Sequence, residues 1–442
     1  MTRPYTVPGD VFSELATGAG GRRAMQFLAK AERSKHLLLV RNVVVTAERM
    51  GHERAWELAE AYDLLANLQK DAPEAVEAVL TYPSVGTWAI RMLLRVLPSK
   101  TGGPLSFAYL PGLALAAAIR AGATTTLEVT VPNGRLVLPS LGVARVYGVP
   151  RRTTTRVTVS THADGAQLWS GGMSASVPGN PEHYAEGWMG LRRLSTTHRN
   201  ETFHVLLDDI DPFRLPEGWP AARQRPGTVQ QWQQALTEAW VLLKNHHPWY
   251  AEEVLGGVTT FVPLSRPAGR PTSATSRYAF GAFAGSLPPN GRMLASLLSH
   301  EVQHSKLWAL LDLIPLTAAH DHADRPLWYA PWREDPRPLM ALLQGAYAHL
   351  AVAAFWRVQR FLDQGEEALH AHAEYARWRQ HTIDVIETLR VCGMLTPAGD
   401  AFVSGMATAI DGWRDDDVPF AAARRAHEAA LEHQKRWAER NI

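Results

Sequence analysis

Long stretches of the chain place apolar residues at the three- and four-residue spacing of an α-helix. This spacing predicts helices through most of residues 10–98 and again from about residue 230 to the C-terminal end. Between them, residues 124–131 and 153–160 alternate apolar and polar side chains, which is typical of half-buried strands. The pattern therefore predicts an α+β fold that is mainly helical, with a β-rich middle section.

Turn and loop signals divide this pattern into regions. Pro132-Asn133-Gly134 follows the first predicted strand, so residues 135–138 are predicted to return as the second strand of a hairpin. Residues 208–220 contain three prolines and are predicted to be a linker. We predict three regions: a helical N-terminal region at 1–101, a β-rich section at 102–215 that could bind a peptide, and a mainly helical catalytic region at 216–442.

Composition limits the functional class. Of the 442 residues, 46% are hydrophobic and 20% are charged, as in soluble globular proteins of two or three domains. The net charge of +2 gives no strong field for nucleic acid or an anionic membrane, so neither is expected as a partner. Apolar runs such as residues 113–119 are shorter than the roughly 20 residues of a membrane span. No secretory signal pattern is recognised, and the single cysteine, Cys392, suits a reducing compartment, so a cytoplasmic location is expected.

The strongest chemical signal is the run His300-Glu301-Val302-Gln303-His304, an HExxH motif within the predicted helix 292–313. Residues four apart lie on one face of a helix, so His300 and His304 direct two imidazoles to one point. Glu301 is adjacent and could act on a metal-bound water or support a ligand. A helical, zincin-like metal domain is therefore predicted in the C-terminal region, with His300 and His304 as ligands.

A third metal ligand must come from elsewhere. A metzincin would have glycine and histidine at the positions of Leu307 and Leu310, which excludes that class, and no clear gluzincin glutamate follows. His320, Asp321, His322 and Asp324 belong to a polar segment that favours a solvated loop. His349, in an apolar helix rich in small residues, is the better candidate. The alternative for His349 is a core histidine satisfied by hydrogen bonds.

A segment dense in aromatic residues, prolines and arginines, 328–338, separates the motif from His349. Arg333 and Arg337 in this segment could each bind a carboxylate through two parallel hydrogen bonds. Pairing with the neighbouring Glu334 and Asp335 is the alternative. The segment 273–283 is predicted to be a strand lining the cleft, and its Arg277 is another candidate for the carboxylate.

These features together resemble a known family. The motif helix, the run Pro331-Trp332-Arg333-Glu334-Asp335-Pro336-Arg337-Pro338 and the segment 345–352 follow each other as in the HExxH proteins associated with ribosomally made, modified peptides. The same domain is sometimes fused to radical-SAM peptide-maturation enzymes. The resemblance covers about residues 225–395.

The resemblance implies an iron(II)- and 2-oxoglutarate-dependent dioxygenase that β-hydroxylates a side chain of a precursor peptide. His300, His304 and His349 would hold the iron, Arg333 or Arg337 would bind 2-oxoglutarate, and Glu301 would support the site. Iron oxygenases usually combine two histidines with a carboxylate, whereas three histidines also suit catalytic zinc. A zinc metallopeptidase with Glu301 as general base is therefore the alternative. A scaffold protein with a structural metal, held by four protein ligands, is the third possibility.

Overall fold

The computed structural model describes residues 6–99, 104–150, 153–215, 220–265, 272–318 and 326–441. Helices account for 56% of the protein, with several sheets between two helical parts, so the predicted mainly helical α+β class is confirmed. The helices before the first strand are α1 (Gly9–Ala16), α2 (Gly21–Arg49), α3 (Ala55–Asp71), α4 (Pro73–Leu80), α5 (Pro83–Arg91), which continues through a π-helical turn (Met92–Val96) into α6 (Leu97–Ser99), and α7 (Pro104–Ala121). The later helices are α8 (Pro226–His246), α9 (Pro248–Gly257), α10 (Gly291–Leu311), α11 (Leu339–Gln359), α12 (Gly365–Val391), α13 (Pro397–Asp411) and α14 (Phe420–Asn441).

The strands form four sheets among the described residues. The first has the order β1-β4-β5-β6, the second β2-β3-β7, the third β11-β12-β10-β9-β8 and the last β13-β14. The strands are β1 (Thr125–Pro132), β2 (Arg135–Leu138), β3 (Gly142–Arg145), β4 (Thr154–His162), β5 (Gly165–Ser170), β6 (Met173–Pro178), β7 (Trp188–Gly190), β8 (Arg192–His198), β9 (Glu201–Leu207), β10 (Thr260–Pro263), β11 (Ser273–Ala274), β12 (Ala282–Gly285), β13 (Leu327–Trp328) and β14 (Arg337–Pro338). The third sheet joins β8 and β9 of the middle section to β10–β12 of the C-terminal part.

The prediction that β1 and β2 pair as a hairpin across Pro132-Asn133-Gly134 is wrong. The turn exists, with Asn133 and Gly134 both at positive φ. However, β1 pairs antiparallel with β4, where Val129 faces Val157, and β2 pairs with β3 instead. The turn therefore passes the chain from one sheet to the next. Alternation within β1 correctly predicted the buried face but cannot specify which later strand covers its edge.

The predicted linker also differs from expectation, because four of its described residues are buried: Asp208, Asp209, Asp211 and Phe213. Asp208 accepts a hydrogen bond from Tyr82 Oη at 2.7 Å. Asp211 accepts from Ser84 Oγ and Tyr109 Oη, both at 2.9 Å, and from the Phe213 backbone. The two carboxylates therefore attach the end of β9 to the N-terminal helices. Proline content signalled an irregular backbone here, but it could not signal burial.

Asp211 is expected to make stability depend on pH. Burial and the nearby Asp208 carboxylate raise the pKa of Asp211 to about 7, from an ordinary 3.8. The folded protein then binds this proton more tightly than the unfolded chain, so the stability contribution is full below about pH 4 and is lost as pH rises towards 7. Asp211→Asn should flatten this slope in urea unfolding at pH 5, 6 and 7. The exposed Asp71→Asn should leave the slope unchanged, and an unchanged slope in Asp211→Asn would refute the assignment.

Helix α2 contributes to two separate hydrophobic cores. Its first half places Ala24 and Leu28 in a core with α1, α10, α11, α12 and α13. Its second half places Val40 and Val44 in a core with α3–α7 and the strands of the middle section. A third core lies between α8–α12 and the third sheet. The motif helix α10 contributes to the first and third of these cores, so it is fixed from two sides.

Helix α11 alone among the described residues is long and apolar enough to pass a length-and-composition test for a membrane span. The sequence pattern predicts a helix in this region but does not mark it as a candidate membrane span. However, 83% of its most apolar window is buried inside the protein. Such burial is typical of a core helix. His349 is one of the buried residues of α11.

Candidate metal centre

Helix α10 carries both histidines of the HExxH motif. The helix begins after Asn290, whose side chain accepts a hydrogen bond from the Met293 backbone N–H, as an N-cap does. His300 and His304 lie one turn apart, and their Nε2 atoms are 3.1 Å apart. The predicted convergence of these two imidazoles is therefore present. Two Nε2 atoms at this distance either share a proton or are placed as neighbouring ligands of one metal ion.

His349 approaches this pair from the facing helix α11. Its ring centroid lies 5.0 Å from that of His300, and the residue is only 8% exposed. Its Nδ1 lies 2.8 Å from the carbonyl oxygen of Gly345. A carbonyl only accepts, so Nδ1 carries the proton and Nε2 keeps a free lone pair. The structure therefore brings together all three histidines singled out in the sequence.

The same reasoning fixes the tautomer of His304. Its Nδ1 lies 3.0 Å from the Gln344 side-chain oxygen, which accepts the hydrogen bond. Gln344 and Gly345 are adjacent on α11, so one turn of this helix orients two imidazoles. Metal-binding histidines ordinarily donate their second N–H to such an oxygen, which leaves Nε2 for the metal.

Burial keeps the imidazoles of His300 and His349 neutral. Burial, with a smaller contribution from His304, lowers the pKa of His300 to about 4. Burial and the neighbouring His300 hold the pKa of His349 well below its ordinary value. Neutral imidazole is the form that binds metal, so no proton has to be displaced from these two rings at neutral pH.

The three side chains do not yet form a closed site. Within the described ranges, no group of three or more His, Cys, Asp or Glu side chains has the geometry to hold a metal ion as it stands. Binding by His300, His304 and His349 would therefore require a side-chain rotation in at least one of them. His320, Asp321, His322 and Asp324 lie outside the described residues.

Glu301 is buried beside the histidines and held in one orientation. It is 4% exposed, and its Oε2 accepts a 2.5 Å hydrogen bond from Thr275 Oγ1. Its Oε1 lies 3.9 Å from His300 Nε2. Thr275 comes from the segment that was predicted to be one continuous strand. That prediction is wrong: β11 ends at Ala274, and β12 begins at Ala282 after a turn.

The predicted carboxylate-binding arginines are both engaged. Arg333 Nε donates to Asp335 at 2.9 Å, and Arg337 Nη1 donates to the other oxygen of Asp335 at 2.8 Å. Glu334, the other expected partner, instead pairs with Arg440 on α14. Arg277 pairs with Asp312 at 2.5 Å. A ligand carboxylate would therefore have to compete with an aspartate for each of these arginines.

Two tryptophans pack against His349: Trp332, from the segment that the sequence favours as a wall of the site, and Trp378, which the sequence does not indicate. Trp332 stacks on the imidazole with centroids 4.5 Å apart and planes 14° apart, and Trp378 lies against it at 4.5 Å and 37°. Trp332 was included in the aromatic segment, but its contact depends on Gly345. A Cβ atom at Gly345 would lie 2.3 Å from the Trp332 ring. No sequence pattern connects Trp378 with the site, because its contact with His349 depends on how α12 packs against α11.

Gly345→Ala is expected to weaken metal binding by about tenfold to 100-fold, as changes to residues that support a ligand do. The added methyl group would displace the Trp332 ring and free His349 to rotate. Zinc titration of the variant and the native chain, competed with a chromogenic chelator, measures the loss. Gly227→Ala is the matched control, since it is helical and its Cβ meets nothing within 4 Å. Equal affinity in the native chain and Gly345→Ala would show that the stack does not position His349.

A scan of the chain against models of known protein families finds no match, and a search of curated proteins finds none that is significantly similar. Function must therefore be inferred from the residues and their geometry.

Proposed function

We propose that the protein is an iron(II)- and 2-oxoglutarate-dependent oxygenase that β-hydroxylates a side chain of a ribosomally made precursor peptide. The observation that carries the proposal is the group of imidazoles contributed by α10 and α11. His304 and His349 each donate Nδ1–H to an oxygen on α11, so the Nε2 of each is unprotonated. These two residues and His300 would hold the metal.

The donor set fits a catalytic metal ion better than a structural one. Three protein ligands leave open positions for a cosubstrate and dioxygen, whereas structural zinc sites have four. Iron(II) and 2-oxoglutarate, when bound, would supply the oxidising chemistry that inserts one oxygen atom of dioxygen into a substrate C–H bond. Imidazole nitrogen is a suitable ligand for iron(II) as well as for zinc.

The chain's own residues would orient and shield the centre. Trp332 and Trp378 both pack against the His349 ring, which is 8% exposed, and shield it from water. Thr275 holds the Glu301 carboxylate through Oε2, which leaves Oε1 beside His300. In this role Glu301 accepts hydrogen bonds and orients groups at the centre without transferring a proton. Arg333 or Arg337 would bind the far carboxylate of 2-oxoglutarate by exchanging Asp335 for it.

The middle section offers space for the precursor peptide. A cavity of about 700 Å³ between α2, α4 and the third sheet adjoins one of about 510 Å³ beside α7. Arg120, Ser140 and Arg193 of the middle section line both cavities, whereas α2, α4 and residues 256–260 and 280–281 supply most of the remaining wall of the larger one. Cavities of this size accommodate peptide residues, so the peptide would lie between the section 102–215 and these neighbouring elements.

A zinc metallopeptidase is the second candidate, and the orientation of Glu301 favours it. A general base must lie within reach of a metal-bound water, directly or through one water molecule. The free Oε1 of Glu301, 3.9 Å from His300 Nε2, occupies such a position. Three neutral histidines are also an established ligand set for catalytic zinc.

The deciding experiment combines metal analysis with mass spectrometry. Anaerobic purification should yield iron, and a precursor peptide encoded beside the gene should gain the mass of one oxygen atom only when 2-oxoglutarate and dioxygen are present. Cleavage of the peptide with zinc alone, unaffected by 2-oxoglutarate, would overturn the proposal in favour of the peptidase.

The variant Glu301→Gln distinguishes the oxygenase from the peptidase independently of metal analysis. The amide keeps the shape of the carboxylate but cannot take a proton, so a peptidase should lose about 10²- to 10⁴-fold in turnover. An oxygenase should keep part of its activity. The measurement is turnover per bound metal, with the exposed Glu60→Gln on α3 as control. A loss of hydroxylation as complete as that expected for a peptidase would show that Glu301 transfers a proton in the reaction.

A further inference from the structure

A cavity of about 840 Å³ lies between the segment 332–335, helix α12 and helix α14. Its wall contains several arginines, together with His433 and the indole rings of Trp332 and Trp378. These are the same two tryptophans that enclose His349. The cavity and the third imidazole of the candidate metal centre therefore share these two indole rings, although His349 itself does not line the cavity.

The acidic residues in the wall are already neutralised. Glu334 pairs with Arg440 and, at 3.7 Å, with Arg436. Glu432 pairs with Arg436 at 2.5 Å, and Asp335 pairs with Arg333 at 2.9 Å. Each carboxylate of the wall thus has an arginine partner within the protein.

Arg377 is an arginine of the cavity wall that pairs with none of these carboxylates. Within the part of the chain that the structure describes, it forms no ion pair, and its Nε is buried without a hydrogen-bond acceptor. The guanidinium lies over the Trp378 ring, 4.5 Å from the ring centroid. Burial, with a contribution from the Arg377 charge, lowers the pKa of both His381 on α12 and His433 on α14. A buried donor without a partner is costly unless a ligand satisfies it.

We propose that this cavity is a binding site for a carboxylate ligand, with Arg377 as its principal partner. Guanidinium binds carboxylate through two parallel hydrogen bonds, and the adjoining tryptophan faces suit the methylene groups that carry such a carboxylate. Two sources share this chemistry: an acidic side chain of a bound peptide, and 2-oxoglutarate, for which Arg377 would then replace Arg333 or Arg337 as the partner of the far carboxylate. The site itself does not depend on the proposed hydroxylase function; only the second source does.

Binding is tested on the full chain without added metal. Equilibrium dialysis with radiolabelled glutarate, which lacks the keto group needed for chelation, should show saturable binding. Arg377→Gln should weaken it at least about tenfold, as expected for loss of a charge-assisted pair. Arg424→Gln, an exposed arginine of α14 outside the cavity wall, should leave binding unchanged. If Arg377→Gln does not fold, Arg377→Lys serves instead, since it keeps the charge but not the paired hydrogen bonds.

Two further arms identify the source. A labelled Gly-Ser peptide with one glutamate should bind more tightly than its glutamine counterpart, in an Arg377-dependent way, if the ligand is a peptide. Dialysis of 2-oxoglutarate with iron(II) under anaerobic conditions should show Arg377-dependent binding tighter than that of glutarate if the ligand is the cosubstrate. Absence of saturable glutarate binding, or equal binding by Arg377→Gln and the native chain, would overturn the site even if the protein proves to be a hydroxylase.

Discussion

Replacing His304 with alanine is expected to abolish tight metal binding and, with it, any metal-dependent turnover. The variant loses an Nε2 lone pair that lies 3.1 Å from the Nε2 of His300. It also leaves the Gln344 side-chain oxygen without the imidazole that donates to it. Because changes to supporting residues alone cost about 10- to 100-fold in metal affinity, loss of a ligand should cost more than about 100-fold.

The measurement is metal content after dialysis, together with turnover of the peptide. His427→Ala is the matched control, because His427 is an exposed histidine on α14. It should retain native metal content and native activity. Stoichiometric metal in the His304→Ala protein would show that the helix-borne pair is not the metal site.

Glu253→Ala is expected to destabilise the fold by about 3–5 kcal/mol, because it leaves a charge buried without its partner. Lys306 Nζ donates to Glu253 Oε1 at 2.6 Å, and both side chains have no solvent exposure. Lys306 also donates to the carbonyl oxygens of Gly18 and Ala19. Burial lowers the pKa of Lys306 even with this carboxylate present. Removing the carboxylate would leave the ammonium group with two backbone carbonyls and the Tyr347 ring, whose centroid is 5.6 Å away, but without the carboxylate that neutralises it.

Chemical unfolding measures this loss. The exposed pair Arg425–Glu366, 2.5 Å apart, is the control, and Glu366→Ala should cost less than about 1 kcal/mol. The double variant Glu253→Gln with Lys306→Met should recover part of the stability, since it removes the unpaired charge. A Glu253→Ala protein that loses no more stability than Glu366→Ala would mean that Lys306 finds another partner or sheds its proton at little cost.

The sequence predicted the parts of the candidate site that depend on local spacing. His300 and His304 converge because residues four apart share a helix face, which needs no tertiary information. His349 is predicted as a ligand because the two motif histidines need a third one, and the structure places its ring centroid 5.0 Å from that of His300. The starts of the two helices that carry the histidines can also be predicted from local sequence. Asn290 directly precedes α10, and Pro338 directly precedes α11.

The contacts that depend on packing between distant segments could not be predicted. Thr275 reaches Glu301 because the chain turns between β11 and β12, where Gly281 takes a positive φ. Trp378 reaches His349 only because α12 packs along α11. The pairing of β1 with β4 likewise follows from sheet assembly, since alternation along a strand does not name its neighbour.

Helix α2 has a practical consequence for anyone who divides the chain. Its 29 residues extend over about 43 Å, and its two halves complete two different cores. A fragment that starts at residue 216 would lack the surface that Ala24 and Leu28 provide for α10 and α11, and would expose apolar side chains to water. A fragment that ends at residue 215 would leave Ala24 and Leu28 of α2 exposed to water, because it lacks the helices that cover them. We therefore expect limited proteolysis to release no stable half, and the two pieces to fold only when they are co-expressed, because α2 must contact both cores at once.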